Sequence, residues 1–432
     1  MQVGRDSGIW ASLPRCIWRV VSGEALAETS LRRGFIRYAE PGEFTRRAFM
    51  NDRLDLAQVE SLSDILGAET EQQRRAAVRG NSGSLGRTYE GWRQQLLLAR
   101  GEMEALIDFS EDQHFEAAPA ELLSNITWLV REMLGSISLY EVASQRSELL
   151  RNGIRIALLG PPNAGKSSLM NQIVGREASI VSDEAGTTRD IVETSLDIRG
   201  YLCSFADTAG LRAKTPTVGA VEEEGIRRAK QRAAESDLVI ALSSIEPSQA
   251  GGHRVHFDMD TLNLAARAPH RIVVINKCDT VDTQDLKLLT QNFKTSILGG
   301  IRGLELADPL TISCKDGRSA SAARLKGPGL IQAVIDELVQ SFSKMTSLPN
   351  EMQELLGVTE RQRQLLMQCR QHLDAFMVEA EANRDGNEPD IVLAAEHLRF
   401  AAASLAQITG RGDSGDVEEV LGVIFERFCV GK

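Results

Sequence analysis

The chain has 432 residues, of which 42% are hydrophobic and 25% are charged. That length exceeds what one compact core usually holds and predicts two or three domains. The 49 basic and 60 acidic residues leave a formal net charge of -11, which excludes nucleic-acid binding through bulk charge alone. No apolar run approaches the roughly 18 to 20 residues that cross a bilayer, so no membrane span is expected.

The six cysteines form no C-x-x-C pair and no cluster with the histidines, so we expect reduced thiols and no zinc site. The first 33 residues match an organelle transit peptide weakly, because acids are interspersed with the arginines. The alternative is an irregular start of the chain.

Residues 54–150 are rich in Ala, Leu, Glu, Gln and Arg, with apolar positions three and four apart, and this pattern predicts long helices. From residue 152 onwards, short apolar runs alternate with polar, helix-like segments, which is typical of an α/β domain with a mostly parallel sheet. The predicted strands are 154–159, 202–206, 238–242, 272–275 and 310–312. The stretches 247–256 and 296–308 are predicted to be loop insertions.

The residue pattern typical of helices returns after the Gly-Pro-Gly turn at 327–329 and continues to the last residue. Two apolar stripes at helical spacing, within 391–405 and 417–428, predict helices whose stripes pack in a core. Since helical segments flank the α/β block on both sides, the simplest architecture is an α/β domain inserted into one helical domain.

Residues 160–167 read G-P-P-N-A-G-K-S, which fits the phosphate-loop pattern G-x-x-x-x-G-K-[ST] between a predicted strand and a helical run. Backbone N–H groups of such a loop wrap the phosphates, Lys166 reaches the β and γ phosphates, and Ser167 binds Mg²⁺. A glycine-rich turn of purely structural use is the alternative. The predicted nucleotide-binding residues in this segment are Asn163, Ala164, Gly165, Lys166, Ser167 and Ser168.

The segment Asp207-Thr208-Ala209-Gly210 follows the strand 202–206. An aspartate at that place holds Mg²⁺ through water, and a glycine N–H there meets the γ phosphate. Between this segment and the phosphate loop lies G-T-T-R-D (186–190), where a mobile switch places a threonine hydroxyl on Mg²⁺. We assign that role to Thr188, with an ordinary surface loop as the alternative.

The segment Asn276-Lys277-Cys278-Asp279 follows the strand 272–275 and predicts the base. Guanine presents two adjacent donors, N1–H and the N2 amine, which one carboxylate accepts together, whereas adenine would leave Asp279 unpaired. GTP is therefore preferred over ATP. After the strand 310–312, the tripeptide Ser313-Cys314-Lys315 is the predicted backbone support for guanine O6.

Ras-like enzymes orient the attacking water with a glutamine directly after the D-x-x-G motif. This chain has Leu211 there, which cannot hydrogen-bond water. Another group must align the water.

Together these residues resemble one family closely, the MnmE/TrmE tRNA-modification GTPases of bacteria and their mitochondrial counterparts. The resemblance runs from about residue 35 to Lys432. Its motifs are P-G-E-F-T-R-R-A-F (41–49), L-D-L-A-Q (54–58), G-T-T-R-D, D-T-A-G-L-R (207–212) and the terminal F-C-V-G-K (428–432).

The resemblance implies an α/β P-loop GTPase domain inserted into an all-α helical domain, with a remnant of an N-terminal α/β domain. The domains expected are a partial folate-binding and dimerisation domain (1–50), the first part of the helical domain (51–150), the G domain (151–345) and the second helical part (346–432). Since the chain reaches P-G-E-F-T already at residue 41, the first strands of the folate domain are expected to be missing.

The resemblance further implies Mg²⁺-dependent and potassium-stimulated hydrolysis, with the G domains paired across a homodimer. The residues expected around the potassium ion are Asn163, Ser182, Glu184 and Thr187. A glutamate shortly before a G-I pair aligns the water in this family, which maps to Glu222, the first of three glutamates (222–224) ahead of residues 225–226. A solvated acidic turn is the alternative for this run.

The modification implied is that of the wobble uridine at C5, of carboxymethylaminomethyl or taurinomethyl type, with an FAD-dependent partner of the MnmG type. A one-carbon folate, 5-formyl- or methylene-tetrahydrofolate, would be contacted by Arg53 and Lys432. Cys429 is either a catalytic thiol or a small packed residue. The compartment expected is the mitochondrion, or the cytoplasm if the chain is bacterial.

Two other functions stay open at this stage. An Era-type RNA assembly factor would need a KH-like RNA module around a G-x-x-G loop after the G domain, and the helical pattern of the C-terminal segment predicts no such module. A scaffold without folate chemistry would retain only partner binding.

Overall fold

The computed structural model describes residues 39, 42–108, 119–175, 178–180, 194–206, 231, 233–248, 251–315, 331–381 and 390–411. The chain divides into two compact units, residues 1–54 with 418–432, and residues 55–417. In the first unit, helix α1 (Glu43–Met50) is followed by a turn in which the Arg53 N–H donates to the Ala48 carbonyl at 2.9 Å. The predicted helix within 417–428 lies outside the described residues.

The second unit contains a helical bundle built from two segments that are distant in sequence. Its helices before the sheet are α2 (Leu56–Gly67), α3 (Glu71–Gly80), α4 (Ser84–Asp108) and α5 (Pro119–Asn152). Those after the sheet are the 3-10 helix Asn350–Gly357, α10 (Glu360–Glu381) and α11 (Ile391–Thr409).

One continuous core joins these two segments. Tyr89 and Leu96 of α4 and Ile137 of α5 are fully buried in the same apolar cluster as Phe376 of α10 and Leu405 of α11. Burial of this apolar surface is the main force that holds the two halves together. The expected arrangement, a helical domain interrupted by an α/β insertion, is confirmed.

Capping boxes set where the first helices begin. The Asp55 carboxylate accepts from the Gln58 N–H at 2.8 Å, and the Gln58 side chain accepts from the Asp55 N–H at 3.0 Å. Thr70 and Gln73 form the same reciprocal pair at the start of α3. Each box satisfies two backbone donors that the helix leaves unpaired.

Helix α11 alone, among the described helices, is long and apolar enough to cross a membrane. Its apolar residues Ala394, Leu398 and Leu405 are buried in the helical core. The helix therefore packs as a core helix of the bundle.

Two glycines bring α3 against the 3-10 helix. A Cβ added at Gly80 would lie 2.7 Å from the Gly357 Cα and 2.9 Å from the Ser61 Oγ.

We therefore expect Gly80→Ala to destabilise the protein by about 1 to 3 kcal/mol, the usual effect of overpacking. The matched control is Gly101→Ala in α4, where an added Cβ meets nothing within 4 Å. That change removes backbone freedom from the unfolded chain and should stabilise by about 0.5 to 1 kcal/mol. Urea unfolding followed by circular dichroism measures both, and equal midpoints would contradict the packing argument.

The α/β domain lies between α5 and the 3-10 helix. Its strands are β1 (Ile154–Leu159), β2 (Ala178–Ile180), β3 (Thr194–Ile198), β4 (Tyr201–Ala206), β5 (Leu238–Pro247), β6 (His253–His256), β7 (His270–Asn276) and β8 (Leu310–Thr311). Its helices are α6 (Lys166–Val174), α7 (Met259–Arg267), α8 (Thr283–Ser296) and α9 (Ile331–Thr346).

These strands form one sheet in the order β2-β3-β4-β1-β5-β7-β8, with β6 paired to β5. The central pairs β1–β4, β1–β5, β5–β7 and β7–β8 are parallel, whereas β2–β3, β3–β4 and β5–β6 are antiparallel. Helices α6 and α9 cover one face, and α7 and α8 cover the other. In parallel pairs the carboxyl ends share one edge, so the loops after β1, β7 and β8 emerge together.

The prediction of a loop over 247–256 was wrong. Strand β5 continues to Pro247 and pairs in antiparallel register with β6, Ser244 opposite His256 and Glu246 opposite Arg254. The polar residues Ser243 and Ser244 ended the apolar run on which the prediction relied, yet both are buried. Over 296–308 the structure has a short 3-10 helix, Leu298–Gly300, and buried side chains of Leu298, Ile301 and Leu304 anchor the segment.

The inserted domain contacts the bundle next to the β3–β4 turn. The Gln72 N–H of α3 donates to the Gly200 carbonyl at 3.1 Å, and the neighbouring Gln73 side chain fixes α3 within the bundle by donating to the Arg151 carbonyl of α5 at 2.9 Å. Tyr201, at the start of β4, packs against both the helical core and the core under the sheet. The hairpin β3–β4 is thus held by both parts of this unit.

Candidate nucleotide site

The loop between β1 and α6 is bent by residues that adopt left-handed backbone. Asn163 has a φ of 60° and Gly165 a φ of 99°. At Gly160 the loop leaves β1 so close to β5 that an added Cβ would overlap the Leu242 carbonyl oxygen. Successive N–H groups in such turns point into one concave space, and the N-terminus of α6 adds positive potential there. The geometry is that of an anion-binding loop.

Lys166 spans this loop. Its ammonium donates to the Gly160 carbonyl at 2.7 Å and to the Pro161 carbonyl at 2.9 Å. Burial lowers the pKa of Lys166 below its usual range, and the nearby Asp258 carboxylate opposes that shift. A phosphate oxygen would offer the ammonium a charged acceptor in place of neutral carbonyls. Ser167 and Ser168 follow in the first turn of α6 and are exposed.

Asn276 ties three loops together from a buried position at the end of β7. Its side-chain NH₂ donates to the Ala164 carbonyl at 2.8 Å, and its side-chain oxygen accepts from the Cys314 N–H at 3.2 Å. With 2% of its surface exposed, Asn276 has its amide committed to these protein groups. Its role is to hold the phosphate loop against the loop after β8.

The segments predicted to read the base follow β7 and β8 and lie side by side. Asp279 is exposed, and its Oδ1 accepts from the Ser313 hydroxyl at 2.8 Å. The Cys278 N–H donates to the Ile312 carbonyl at 3.1 Å, which holds the two segments in register. Burial raises the pKa of the Cys314 thiol to about 11, so this thiol is neutral at physiological pH.

One residue of this site escaped the sequence reasoning. Glu246, near the end of β5, pairs with Lys277, with 3.1 Å between its Oε1 and the lysine Nζ. The only signal for it would have been a continuation of β5 past the two serines, which the apolar pattern does not show.

The structure brings together the predicted residues 163–168, 276–279 and 313–315 at one edge of the sheet. Arg53 lies exposed in the turn after α1, in the other unit. The remaining predicted site residues lie outside the described residues: Ser182, Glu184, Thr187, Thr188, Asp207, Thr208, Ala209, Gly210, Glu222, Cys429 and Lys432.

The comparison with known proteins identifies the chain's relatives. Residues 56–429 match the family model described as the MnmE helical domain. The chain belongs to the MnmE family. The tRNA modification GTPase MnmE of Parvibaculum lavamentivorans is 39% identical over 398 residues, 92% of this chain and 77% of that protein. A Danio rerio protein described as the mitochondrial 5-taurinomethyluridine-[tRNA] synthase subunit GTPB3 is 36% identical over 422 residues, 96% of this chain and 76% of that protein.

Among solved structures, Aquifex aeolicus Era bound to GDP and AlF₄⁻ is 24% identical to this MnmE-family chain, with a TM-score of 0.28, over 51% of this chain and 66% of that one. The G domain of the Thermotoga maritima FeoB iron transporter is 17% identical, with a TM-score of 0.25, over 45% of this chain and 99% of that one.

The MnmE-family chain is a GTPase that uses GTP and Mg²⁺. The described loops hold groups that fit this activity, namely the loop N–H groups and the Lys166 ammonium at the start of α6 and the Asp279 carboxylate after β7. Its relatives include bacterial proteins and a mitochondrial one, which correspond to the two compartments expected.

Proposed function

We propose that this GTPase drives modification of tRNA at C5 of the wobble uridine, together with an FAD-dependent partner of the MnmG type. The support is the match over residues 56–429, which covers both halves of the helical domain as well as the nucleotide site between them. A general GTP switch would share only the inserted domain. The name of the Danio rerio relative describes a uridine modification of the taurinomethyl type in tRNA.

The contacts of the β3–β4 hairpin support a switch that acts on the helical domain. The hairpin follows the predicted switch 186–190, and Asp207 follows β4 directly. Through Gln72 and Tyr201 the same hairpin contacts the bundle. A change at either switch would therefore be transmitted to the helices that the family model matches.

For Mg²⁺ the chain offers the Ser167 hydroxyl at the start of α6, with Thr188 as second ligand and Asp207 through water. When bound, Mg²⁺ neutralises charge on the β and γ phosphates. Asn163, on the exposed left-handed turn, is the proposed potassium ligand beside Ser182, Glu184 and Thr187, and potassium would take the place of an arginine finger. Glu222 is the proposed water-aligning residue.

Pairing of the G domains in a homodimer, folate contacts from Arg53 and Lys432, and a thiol role of Cys429 are proposed on the resemblance alone. A mitochondrial location is proposed on the Danio rerio relative. The Era-type alternative is disfavoured, because α10 and α11, which follow the inserted domain, are part of the bundle core.

The proposed function is tested in a bacterium that lacks its own MnmE-family gene. The chain is expressed there with the MnmG-type protein of the same genome, and wobble-uridine nucleosides are quantified by mass spectrometry of digested tRNA. We expect the modified nucleoside to reappear with the wild-type chain and not with Glu222→Ala, whose kcat for GTP should fall by about 100-fold. Unmodified uridine beside normal GTPase activity of the purified wild-type chain would contradict the tRNA function and leave the GTPase assignment intact.

A further inference from the structure

The hairpin β5–β6 extends past the edge of the sheet that carries the nucleotide loops. Strand β1 pairs with β5 only up to Leu159 opposite Ala241, and β7 pairs with it up to Asn276 opposite Ser244. The last residues of β5 pair with β6 alone. This segment therefore stands beside the loops that follow β1 and β7.

Glu246 points from this hairpin to the guanine-reading segment. Its Oε1 lies 3.1 Å from the Lys277 Nζ and also accepts from the Ser244 hydroxyl at 3.2 Å. The Lys277 ammonium, and to a smaller degree His256 on β6, hold the pKa of Glu246 below its usual range. Glu246 is therefore ionised at neutral pH and holds the lysine from a strand.

Lys277 has an unusual backbone conformation and lies between two residues of the predicted site. Its backbone has a left-handed φ of 64°. The buried Asn276, which hydrogen-bonds to the phosphate loop, precedes it, and Asp279, the predicted base-reading residue, lies two residues after it. A lysine side chain is long and loses much rotamer freedom when it is fixed. A carboxylate on a strand can fix the lysine before the nucleotide binds, so that this loss of rotamer freedom no longer opposes binding. This effect is called preorganisation.

We propose that Glu246 is a positioning residue for guanine-nucleotide binding, which fixes Lys277 at the base end of the site and makes the β5–β6 hairpin one wall of that site. This proposal rests on the assignment of 276–279 as the guanine-reading segment. Glu246 acts through Lys277 and takes no part in the hydrolysis step.

The direction in which GTP affinity changes when Glu246 is removed separates positioning of Lys277 from simple electrostatics. GTP is an anion, so removal of a nearby carboxylate charge should strengthen its binding if only the field matters. If Glu246 positions Lys277, the same removal should weaken binding, because the lysine is no longer held.

The experiment compares Glu246→Gln, Lys277→Met and the double variant, with fluorescent GTP and GDP as probes in full-length protein. We expect Glu246→Gln to weaken both nucleotides by about threefold to fivefold, the range of a partly exposed ion pair. In the Lys277→Met background, the added Glu246→Gln change should weaken nucleotide binding no further. For the single variant Glu246→Gln the effect should appear in KM, with kcat at saturating GTP within about twofold of wild type. The control is Asp336→Asn, which breaks the exposed Arg199–Asp336 pair of the same domain and should leave both affinities unchanged.

Three results would overturn the proposal. Tighter binding by Glu246→Gln would leave only a field effect, and unchanged binding would show that Glu246 does not position Lys277 for the nucleotide. Equal weakening with and without Lys277 would show that the two side chains do not act as a pair. Failure of the wild-type chain to bind either probe would remove the GTP assignment and, with it, this proposal.

Discussion

Gly165→Ala is expected to weaken GTP binding by about 30-fold or more, because the phosphate loop has no room for a side chain at that position. Gly165 has a φ of 99°, which costs an L-residue about 1 to 2 kcal/mol. The added Cβ would also overlap the Asn276 side-chain nitrogen and displace it from the Ala164 carbonyl. A buried hydrogen bond left unmade costs about 1 to 3 kcal/mol, so the two effects together give about 2 to 5 kcal/mol.

Titration with fluorescent GTP measures this loss, with Gly300→Ala as matched control. Gly300 lies exposed on the same domain, and an added Cβ there meets nothing within 4 Å. Its affinity should equal that of wild type. Wild-type affinity of Gly165→Ala would show that the loop binds nucleotide in a different backbone conformation.

The parts of the fold that could be predicted are those with local signals. The glycines, lysine and serine of the loop 160–167 lie within one short stretch of sequence, so the spacing of these residues alone indicates a phosphate site. The helical texture on both sides of the α/β block predicted one interrupted helical domain, because apolar residues at helical spacing mark a buried face wherever they occur.

What could not be predicted depends on contacts between distant residues. Asn276 binds the Ala164 carbonyl, 112 residues earlier, and no local pattern marks that bond. Each paired segment of the β5–β6 hairpin has one apolar residue in or against the core, Ile245 or Val255, between polar neighbours, so no apolar run marks its strands in the sequence. Glu246 reaches Lys277 across 31 residues only because β5 continues into that hairpin.

Asp279→Asn is expected to lower GTP affinity by about 100-fold or more and to turn the preference toward xanthosine triphosphate. Asp279 is placed so that Oδ1 accepts from the Ser313 hydroxyl, which uses one acceptor site of the carboxylate and leaves its other sites for the base. Two hydrogen bonds from guanine to a charged acceptor are worth about 1.5 to 3 kcal/mol each. An asparagine can keep the Ser313 bond with its carbonyl oxygen and then presents an NH₂ group to the base. Guanine has donors at that edge, whereas the C2 oxygen of xanthine accepts.

The measurement is the ratio of kcat/KM for GTP and xanthosine triphosphate, in wild type and in the variant. Ser313→Ala is the control, because it removes the hydroxyl that orients the carboxylate and leaves the carboxylate itself. That variant should bind GTP a few-fold more weakly, as the loss of a hydrogen bond to a charged group predicts, and should still prefer GTP. A variant Asp279→Asn that favoured GTP as strongly as wild type would show that the base is recognised elsewhere, and the assignment of 276–279 would be wrong. If Ser313→Ala instead lost the preference, orientation of the carboxylate rather than its charge would decide the base.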